Sequence, residues 1–158
     1  ELLGALAPDG DGVVADVGSG TGFYTDEIAP HAGRVYAVDV QPEMHDRYRA
    51  KGVPDNVEFV TAAASSLPFD DGELDAAVST MTFHEFATDA ALEELARVIR
   101  PGGRVVTLDW SKQGPGTDGP PVVERFGLAD AVEAFETVGF RTHDARSRVE
   151  TFVHSAVR

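Results

Sequence analysis

The chain has 158 residues, enough for one domain with a buried core. Its 27 acidic residues outnumber the 13 basic ones and give a formal net charge of −14, which argues against nucleic-acid and anionic-membrane partners because binding to phosphates depends on Lys and Arg. The lack of cysteine excludes disulfides, thiolate metal sites and a cysteine nucleophile, and no apolar stretch approaches the about 18 residues of a membrane span, so we expect no metal and no membrane partner.

The first predicted strand covers residues 13–17 and leads directly into a glycine-rich turn. This apolar run is interrupted only by Asp16, which is typical of a parallel strand buried on both faces. Three glycines follow at alternate positions, Gly18, Gly20 and Gly22. Residues without a Cβ let the backbone turn sharply and approach a ligand closely. A helix predicted over residues 22–30 places its free N-terminal N–H groups beside that ligand.

The second predicted strand, residues 34–39, also ends in an acidic residue. Asp39 lies 21 positions after Gly18, close to the separation of about 20 residues at which an acid meets ribose hydroxyls in nucleotide-binding folds. Asp39 is therefore the candidate ribose ligand. In the alternative interpretation, Asp39 is a solvated strand end and Asp16 caps the glycine turn.

The order of acid and glycines, D-x-G-x-G-x-G, separates two classes of nucleotide-binding protein. A dinucleotide fingerprint needs G-x-G-x-x-G, and Phe23 occupies the position of its third glycine. The stretch instead resembles the first motif of the class I S-adenosylmethionine (SAM)-dependent methyltransferases. The resemblance implies a methionine site at Asp16, Gly18, Ser19 and Gly20, a ribose site at Asp39, and an adenine site at Val40, Ala63 and Ala64.

The third and fourth predicted strands, residues 57–60 and 74–79, flank a loop that fixes the register of this resemblance. Residues 67–75 read L-P-F-D-D-G-E-L-D and are similar to the L-P-F-x-D-G-x-F-D stretch common in these enzymes. Relatives often carry an acid near position 63 that binds the adenine amino group, where this chain has Ala63 between two further alanines. We therefore expect weaker SAM affinity or adenine selectivity, with Ser65 or Ser66 able to supply a hydroxyl.

The segment 79–86 follows the fourth predicted strand, at the edge where open α/β sheets bind ligands. This position places Ser79 and His84 beside the reacting methyl group. His84 is the candidate catalytic residue, because an imidazole can orient or deprotonate a methyl acceptor near neutral pH. In the competing interpretation, His84 only lines or packs the site, and Glu85 is a solvated acid at a helix start.

The clearest predicted helix spans residues 88–100, with Thr88 as its N-terminal cap and Pro101-Gly102-Gly103 as its end. The fifth strand is predicted over residues 103–109. Further helices are expected over residues 42–50 and 128–138, the latter with Gly139 as its C-terminal cap.

A loop over residues 111–127 holds four glycines and three prolines, and loops of this length are usually functional or disordered. We expect it to cover the acceptor pocket, with Trp110 and Phe126 as walls and Arg125 paired with an acidic substrate. A mobile surface loop with an exposed arginine is the equally open alternative.

Residues 140–146 and 149–157 predict two strands joined too tightly for a helical crossover, so they are antiparallel. Class I methyltransferases end in this way. The resemblance therefore extends from Val13 to Arg158 and implies an α/β, Rossmann-like, doubly wound seven-stranded sheet that is mostly parallel, with the last strand antiparallel. We expect residues 1–158 to form a single SAM-binding domain whose N-terminal helix is truncated.

The implied function is an enzyme that transfers the methyl group of SAM to a small-molecule acceptor by in-line displacement and releases S-adenosylhomocysteine (SAH). The motifs look most like the type 11 group that contains quinone-biosynthesis methyltransferases, but they leave the acceptor, its methylated atom and the oligomeric state open. A SAM- or SAH-binding protein without methyl transfer is one alternative. A nucleotide-binding oxidoreductase is the other, disfavoured by Phe23 and by the antiparallel ending.

The basic residues are unevenly divided, because eleven are arginines and only Lys51 and Lys112 are lysines. Together with the acidic surface, this skew resembles the cytoplasmic proteins of salt-accumulating halophiles. We expect a cytoplasmic protein whose surface charges repel one another unless salt screens them.

Overall fold

The computed structural model describes residues 1–158 and is built on one seven-stranded sheet. Its strands in chain order are β1 (Val13–Val17), β2 (Arg34–Asp39), β3 (Val57–Thr61), β4 (Leu74–Thr80), β5 (Ile99–Trp110), β6 (Arg141–Ser147) and β7 (Thr151–Val157). They lie in the order β3-β2-β1-β4-β5-β7-β6. All neighbours are parallel except β7, which is antiparallel to both β5 and β6. The predicted sheet, with its antiparallel last strand, is confirmed.

Six α-helices connect the strands: α1 (Leu2–Leu6), α2 (Phe23–Ile28), α3 (Pro42–Lys51), α4 (Phe83–Phe86), α5 (Asp89–Val98) and α6 (Leu128–Thr137). The predicted helix over residues 22–30 is shorter than expected and ends in a 3₁₀ turn, Ala29–His31, because Pro30 has no N–H to continue the α-helical ladder. A second 3₁₀ turn covers Val122–Glu124. None of the helices is both long and apolar enough to cross a bilayer.

The start of β5 corrects the sequence prediction. Helix α5 ends at Val98, and Ile99 already pairs with Leu74 of β4. The register then shifts, so that Arg104 pairs with Ala76. The segment Pro101-Gly102-Gly103 therefore lies in an irregular part of β5, and it does not separate the helix from the strand.

Both faces of the sheet are covered, as a doubly wound architecture requires. Successive side chains of a strand point to opposite faces, and Ala15 and Val17 of β1 accordingly belong to one buried cluster while Val14 belongs to another. The larger cluster packs against α5 and α6, and the smaller one against α1 and α2. The central strands are thus buried between two helical layers, whereas the edge strands β3 and β6 remain partly exposed.

The predicted caps of the two helices on the larger cluster are confirmed. The Thr88 hydroxyl accepts a hydrogen bond from the Ala91 amide at 3.3 Å and so caps α5. Beyond α6, Gly139 adopts a positive φ of 98°, and the Phe140 amide donates back to the Phe135 carbonyl at 3.1 Å. This is the backbone geometry that favours glycine after a helix.

Candidate functional site

A cavity of about 450 Å³ opens at the carboxyl ends of β1, β2 and β3, beside the segment that follows β4. Ligands bind at this edge in open α/β sheets. Its walls are formed by the glycine turn, the end of β2, the start of α3, the alanine segment after β3, and α4 with its flanking residues. The lining residues are Val17, Gly18, Gly20, Val38, Asp39, Val40, Gln41, Met44, Ala62, Ala63, Ala64, Ser65, Thr82, Glu85, Phe86 and Thr88.

The predicted site residues divide into two groups. Six of them line the cavity: Gly18, Gly20, Asp39, Val40, Ala63 and Ala64. Four do not: Asp16, Ser19, Ser79 and His84. The group on the cavity wall contains the whole predicted ribose and adenine site, whereas the second group belongs to the predicted methionine and methyl-transfer site.

Asp39 ties the glycine turn to the end of β2. Its Oδ2 accepts a hydrogen bond from the Gly20 amide at 2.9 Å, and its Oδ1 accepts one from the Gln41 amide at 2.9 Å. Each carboxylate oxygen can accept a second hydrogen bond. The Asp39 carboxylate is therefore held in place by the backbone and retains acceptor capacity on the cavity wall.

The surroundings of the three glycines in the turn differ. A Cβ on Gly18 would lie 2.4 Å from Oγ1 of Thr82, and one on Gly22 would lie 2.3 Å from the ring of Tyr48. Packing against protein atoms therefore requires glycine at both positions. A Cβ on Gly20 would meet no protein atom within 4 Å. Only at Gly20 does the missing side chain leave open space on the cavity side.

Asp16 lies beneath the glycine turn and is fully buried, so its side chain does not line the cavity. Its Oδ2 accepts a hydrogen bond from the Thr25 hydroxyl at 2.6 Å, while Oδ1 has no partner. Burial raises the pKa of Asp16 from 3.8 to about 6, and the hydrogen bond from Thr25 only partly offsets this. The Ser19 hydroxyl is also buried without a partner. The Ser19 hydroxyl belongs to the turn that borders the cavity and Oδ1 of Asp16 lies beneath that turn, so two buried polar atoms without a partner occur at this edge of the sheet.

Ser79 is buried beneath the cavity wall, and Thr82, three residues later, lines the cavity. The Ser79 hydroxyl lies 3.1 Å from Oγ1 of Thr82, which in turn donates to the Val17 carbonyl at 3.1 Å. The hydroxyl pair thus fixes the segment after β4 against the end of β1. Ser79 supports the wall instead of forming it.

His84 lies on α4 and faces the end of β5. Its Nδ1 is 3.0 Å from both carboxylate oxygens of Asp109, and its backbone amide donates to Oδ2 of the same residue at 2.7 Å. Asp109 is fully buried, and its Oδ1 also accepts a hydrogen bond from the Trp110 amide at 2.8 Å. Glu85, the next residue of α4, lines the cavity. The His84 ring is therefore anchored to Asp109 of β5, and the next residue in the sequence lines the cavity.

The profile of a family described as a methyltransferase domain matches residues 15–107. The chain belongs to this family. An uncharacterized methyltransferase of Mycobacterium bovis is 36% identical over 149 residues, which covers 87% of this chain and 59% of that protein. The ubiquinone/menaquinone biosynthesis C-methyltransferase UbiE of Ectopseudomonas mendocina is 38% identical over 111 residues, covering 64% of this chain and 43% of that protein.

The fold of the methyltransferase domain is also found in a solved structure. A SAM-dependent methyltransferase from Aquifex aeolicus superposes with a TM-score of 0.84 and 30% identity, covering 94% of this chain and 82% of that one. The sheet of this methyltransferase domain is therefore that of the SAM-dependent methyltransferases. The chain spans about half the length of the curated relatives that it matches.

The loop over residues 111–127 of the methyltransferase domain is organised around a buried arginine. The Arg125 guanidinium donates to Glu150 at 2.9 Å and to the Pro120 carbonyl at 2.9 Å, and it lies 5.4 Å from the Trp110 ring centre. Arg125 also lowers the pKa of the Glu150 carboxyl. The expectation that Arg125 pairs with an acidic substrate is wrong, because its side chain is fully buried by these internal partners.

The cavity of the methyltransferase domain also has lining residues that the sequence reasoning missed. Gln41 and Met44 follow β2, and Thr82, Phe86 and Thr88 surround the four-residue helix α4. Glu85, interpreted above as a solvated acid, belongs to the same wall. A helix of four residues is too short to produce a detectable hydrophobic period. The available signal was position alone, since α4 immediately follows the carboxyl end of a central strand.

Proposed function

We propose that residues 1–158 form one SAM-binding domain that transfers the methyl group of SAM to a small-molecule acceptor and releases SAH. The observation that carries this proposal is the Asp39 carboxylate, fixed by the Gly20 amide on the wall of a cavity at the carboxyl ends of the strands. Family membership supports methyl transfer as the reaction. Because the chain spans about half of its curated relatives, the activity, acceptor and partners of the complete protein belong to the proposal.

The nucleoside half of the cavity suits an adenosine group. The Asp39 carboxylate can accept hydrogen bonds from the ribose hydroxyls. Val40, Ala63 and Ala64 provide apolar walls for the purine ring, and the nearby Ser65 offers a hydroxyl. No acidic side chain stands at position 63, so the adenine amino group lacks the charged partner that the resemblance leads one to expect.

The glycine turn suits a cationic ligand better than a pyrophosphate. The amides of Gly18 and Ser19 both donate to the Val38 carbonyl, at 2.8 and 2.9 Å, and the Gly20 amide donates to Asp39. A pyrophosphate site needs free N–H groups at this turn, and these three are already engaged. The carboxylates of Asp39 and Glu85 on the cavity wall instead favour positive charge. This argues for SAM over a nicotinamide dinucleotide.

SAM supplies a methyl group that its positively charged sulfur already makes electrophilic. The chain must therefore hold the acceptor in line with that methyl group and keep water away, and positioning of this kind contributes many kcal/mol to catalysis. Under this proposal Gly18, Ser19 and Gly20 hold the methionine part, with Asp16 beneath them contributing its unpaired oxygen and its negative field. His84 is proposed as the catalytic residue on the acceptor side.

A SAM-binding protein without methyl transfer is the second candidate. It is favoured by the partial coverage of the relatives and by Ala63 in place of an acid. A labelled-SAM assay over a panel of small metabolites separates the two. Methyl transfer to any acceptor supports the enzyme, and tight SAM binding without transfer to any of them supports the second candidate.

Binding is tested by titrating SAH into the protein in a calorimeter at high KCl concentration, with NADH as the competing ligand. We expect SAH to bind and NADH to give no heat. The Asp39→Ala protein should bind SAH more weakly, while the matched Asp55→Ala protein, changed at an exposed carboxylate outside the cavity, should bind it normally. Binding of NADH in place of SAH would contradict the proposal.

A further inference from the structure

The strand order shows where an acceptor lies relative to SAM. The nucleoside half of the cavity lies over β3 and β2, and the glycine turn and Thr82 lie over β1 and β4. The next strand in the sheet is β5. If the proposed function holds, the reactive end of SAM points away from β2, and the acceptor enters on the side of β4 and β5. His84 and Asp109 lie at the carboxyl ends of these two strands.

The two residues form an oriented pair. A carboxylate can only accept hydrogen bonds, so contact with Asp109 places the ring proton of His84 on Nδ1. The other nitrogen, Nε2, then carries the lone pair. It makes no hydrogen bond within the protein, and it is not one of the fully buried polar atoms. The backbone amides of His84 and Trp110 hold the carboxylate from the other side.

The groups that face the ring are acidic. Asp109 on β5 is fully buried and forms no ion pair with any Lys or Arg, so the imidazole is the only basic side chain beside it. Glu85 on α4 places Oε1 3.9 Å from Nε2. Two carboxylates, one on each packed element, therefore face the His84 ring. A proton that arrives at Nε2 gains an attractive field on both sides.

We propose that His84 accepts the proton released by the methyl acceptor, that Asp109 is its positioning residue, and that the acceptor is methylated at a hydroxyl oxygen or an amine nitrogen that carries a proton. This rests on the proposed function. The acceptor's oxygen or nitrogen lone pair forms the new bond to the methyl carbon, and the electrons of the carbon–sulfur bond leave with the sulfur. The acceptor's own proton passes to Nε2, so the positive charge of the sulfonium ends on the imidazolium.

A purely structural role for the pair makes different predictions. In that case the contact between His84 and Asp109 would only fasten α4 to β5, and glutamine at position 84 could replace it without a change in acceptor chemistry. The proton-acceptor role requires a particular tautomer, a dependence of rate on pH and a particular class of acceptor. Each of these can be measured separately.

The first experiment determines the tautomer by ¹⁵N NMR of the histidine rings in the SAH complex, with the His84 signal assigned from its loss in His84→Gln. We expect the proton on Nδ1 in the wild type and a shift towards the Nε2-protonated form in Asp109→Asn. A ring that carries its proton on Nε2 in the wild type would overturn the proposal. This measurement needs no acceptor.

The second experiment follows transfer of labelled methyl from SAM to a panel of small phenols, alcohols and amines, with carbon acceptors of similar size as comparison. We expect label on oxygen or nitrogen. His84→Gln should lower kcat by about 10²- to 10⁴-fold, the usual contribution of a general base, with the KM for SAM unchanged. His31→Gln, changed at an exposed histidine, is the matched control and should behave as the wild type.

The pH profile completes the test. The kcat of the wild type should depend on pH, and this dependence should be absent in His84→Gln and altered in Asp109→Asn. Label on carbon only, no label on any O–H or N–H acceptor, or an unchanged kcat in His84→Gln would overturn the proposal. SAH binding is measured independently in the wild type and in the His84→Gln, Asp109→Asn and His31→Gln proteins. If the wild type did not bind SAH, that result would instead contradict the proposed function.

Discussion

The two halves of the ligand edge differ in how they are built. The proposed cofactor half, which comprises the nucleoside half and the glycine turn, is made by short segments that directly follow β1, β2 and β3, and its central contact joins Asp39 to Gly20, 19 positions away. The acceptor half depends on the four-residue helix α4 and on a pair, His84 and Asp109, that comes together only when β4 and β5 are adjacent. The proposed cofactor half is thus built from segments close in the sequence, whereas the proposed acceptor half is assembled by tertiary packing.

The largest expected effect distinguishes a glycine required by packing, Gly22, from a glycine that faces the cavity, Gly20, within the glycine turn. Gly22→Ala should destabilise the fold by about 2–5 kcal/mol, because its new Cβ would overlap the Tyr48 ring and its φ of 86° disfavours a side chain. Gly20→Ala should cost only about 1–2 kcal/mol from backbone strain, yet it should weaken SAH binding. Urea unfolding and calorimetry of the two variants measure both effects.

Equal destabilisation by the two substitutions would break this distinction. Normal SAH binding by Gly20→Ala would also contradict this distinction, because the ligand would then not occupy the open space beside Gly20. Gly139→Ala, which changes a glycine of positive φ far from the cavity, controls for backbone strain alone.

The pH dependence of stability separates the buried acid beneath the glycine turn, Asp16, from a buried histidine on β7, His154. Burial raises the pKa of Asp16 from 3.8 to about 6, so between these pH values the folded state binds a proton that the unfolded state has lost. The free energy of unfolding therefore decreases as the pH rises from 4 to 6. Burial lowers the pKa of His154 to about 4, so its contribution increases from pH 4 to 6.5. Each contribution is about 3 kcal/mol.

The two opposing slopes can be isolated by substitution. Relative to the wild type, Asp16→Asn should gain stability as the pH rises from 4 to 6, and His154→Gln should lose it, when unfolding free energies are measured at several pH values. If both variants followed the wild-type profile, the burial of these groups would have no thermodynamic consequence, and the description of Asp16 as an uncompensated acid would be incorrect.

The ribose contact is the next largest effect. Asp39→Ala removes a charge-assisted acceptor from the cavity wall and should weaken SAH binding by about 10- to 100-fold, corresponding to about 1.5–3 kcal/mol. Asp39→Asn should lie between the wild type and the alanine variant, since it keeps one oxygen acceptor. An unchanged dissociation constant in both variants would remove Asp39 from the site.

A smaller effect is expected at the adenine wall. Ala63→Asp should tighten SAM binding by about tenfold, since it adds one charge-assisted hydrogen bond of about 1.5 kcal/mol. Ala63→Asn, which has a similar shape but no charge, should gain less. If neither variant bound SAM more tightly, the purine ring would not lie against position 63.

The smallest expected effect concerns the whole surface. We propose that the net charge of −14 destabilises the fold at low ionic strength, and that raising KCl from low to multimolar concentration raises the melting temperature by about 5 °C or more. Equal concentrations of sucrose control for changes in water activity. A melting temperature independent of KCl would show that the acidic surface carries no such penalty.

Elements defined by neighbouring residues could be predicted from the sequence, whereas short helices and irregular strand starts could not. The strands were located within a few residues because apolar runs bounded by glycines and acids define them, and the caps at Thr88 and Gly139 depend on neighbouring residues. Helices α1 and α4, of five and four residues, were missed because they are too short to show a period. The early start of β5 was missed because Pro101-Gly102-Gly103 is typical of a boundary.

The nucleoside half of the site could be predicted from the sequence, whereas the contacts of Asp16 and His84 could not. Asp39, Val40, Ala63 and Ala64 were placed by their distance from a motif, and all four line the cavity. Asp16 was placed at the ligand by the resemblance, but whether the side chain near a strand end points into the cavity or into the core is decided by packing, and this one is buried. The partner of His84 could not be predicted either, since Asp109 lies 25 positions away on another strand.

The central claim is that the cavity beside Asp39 binds an adenosyl group linked to an amino acid. Calorimetric titration of SAH into the wild type and Asp39→Ala proteins, at a KCl concentration that keeps both folded, tests it most directly. We expect one SAH site per chain, weakened at least tenfold by the substitution, and no heat from NADH. Failure of SAH to bind the folded wild type would contradict it.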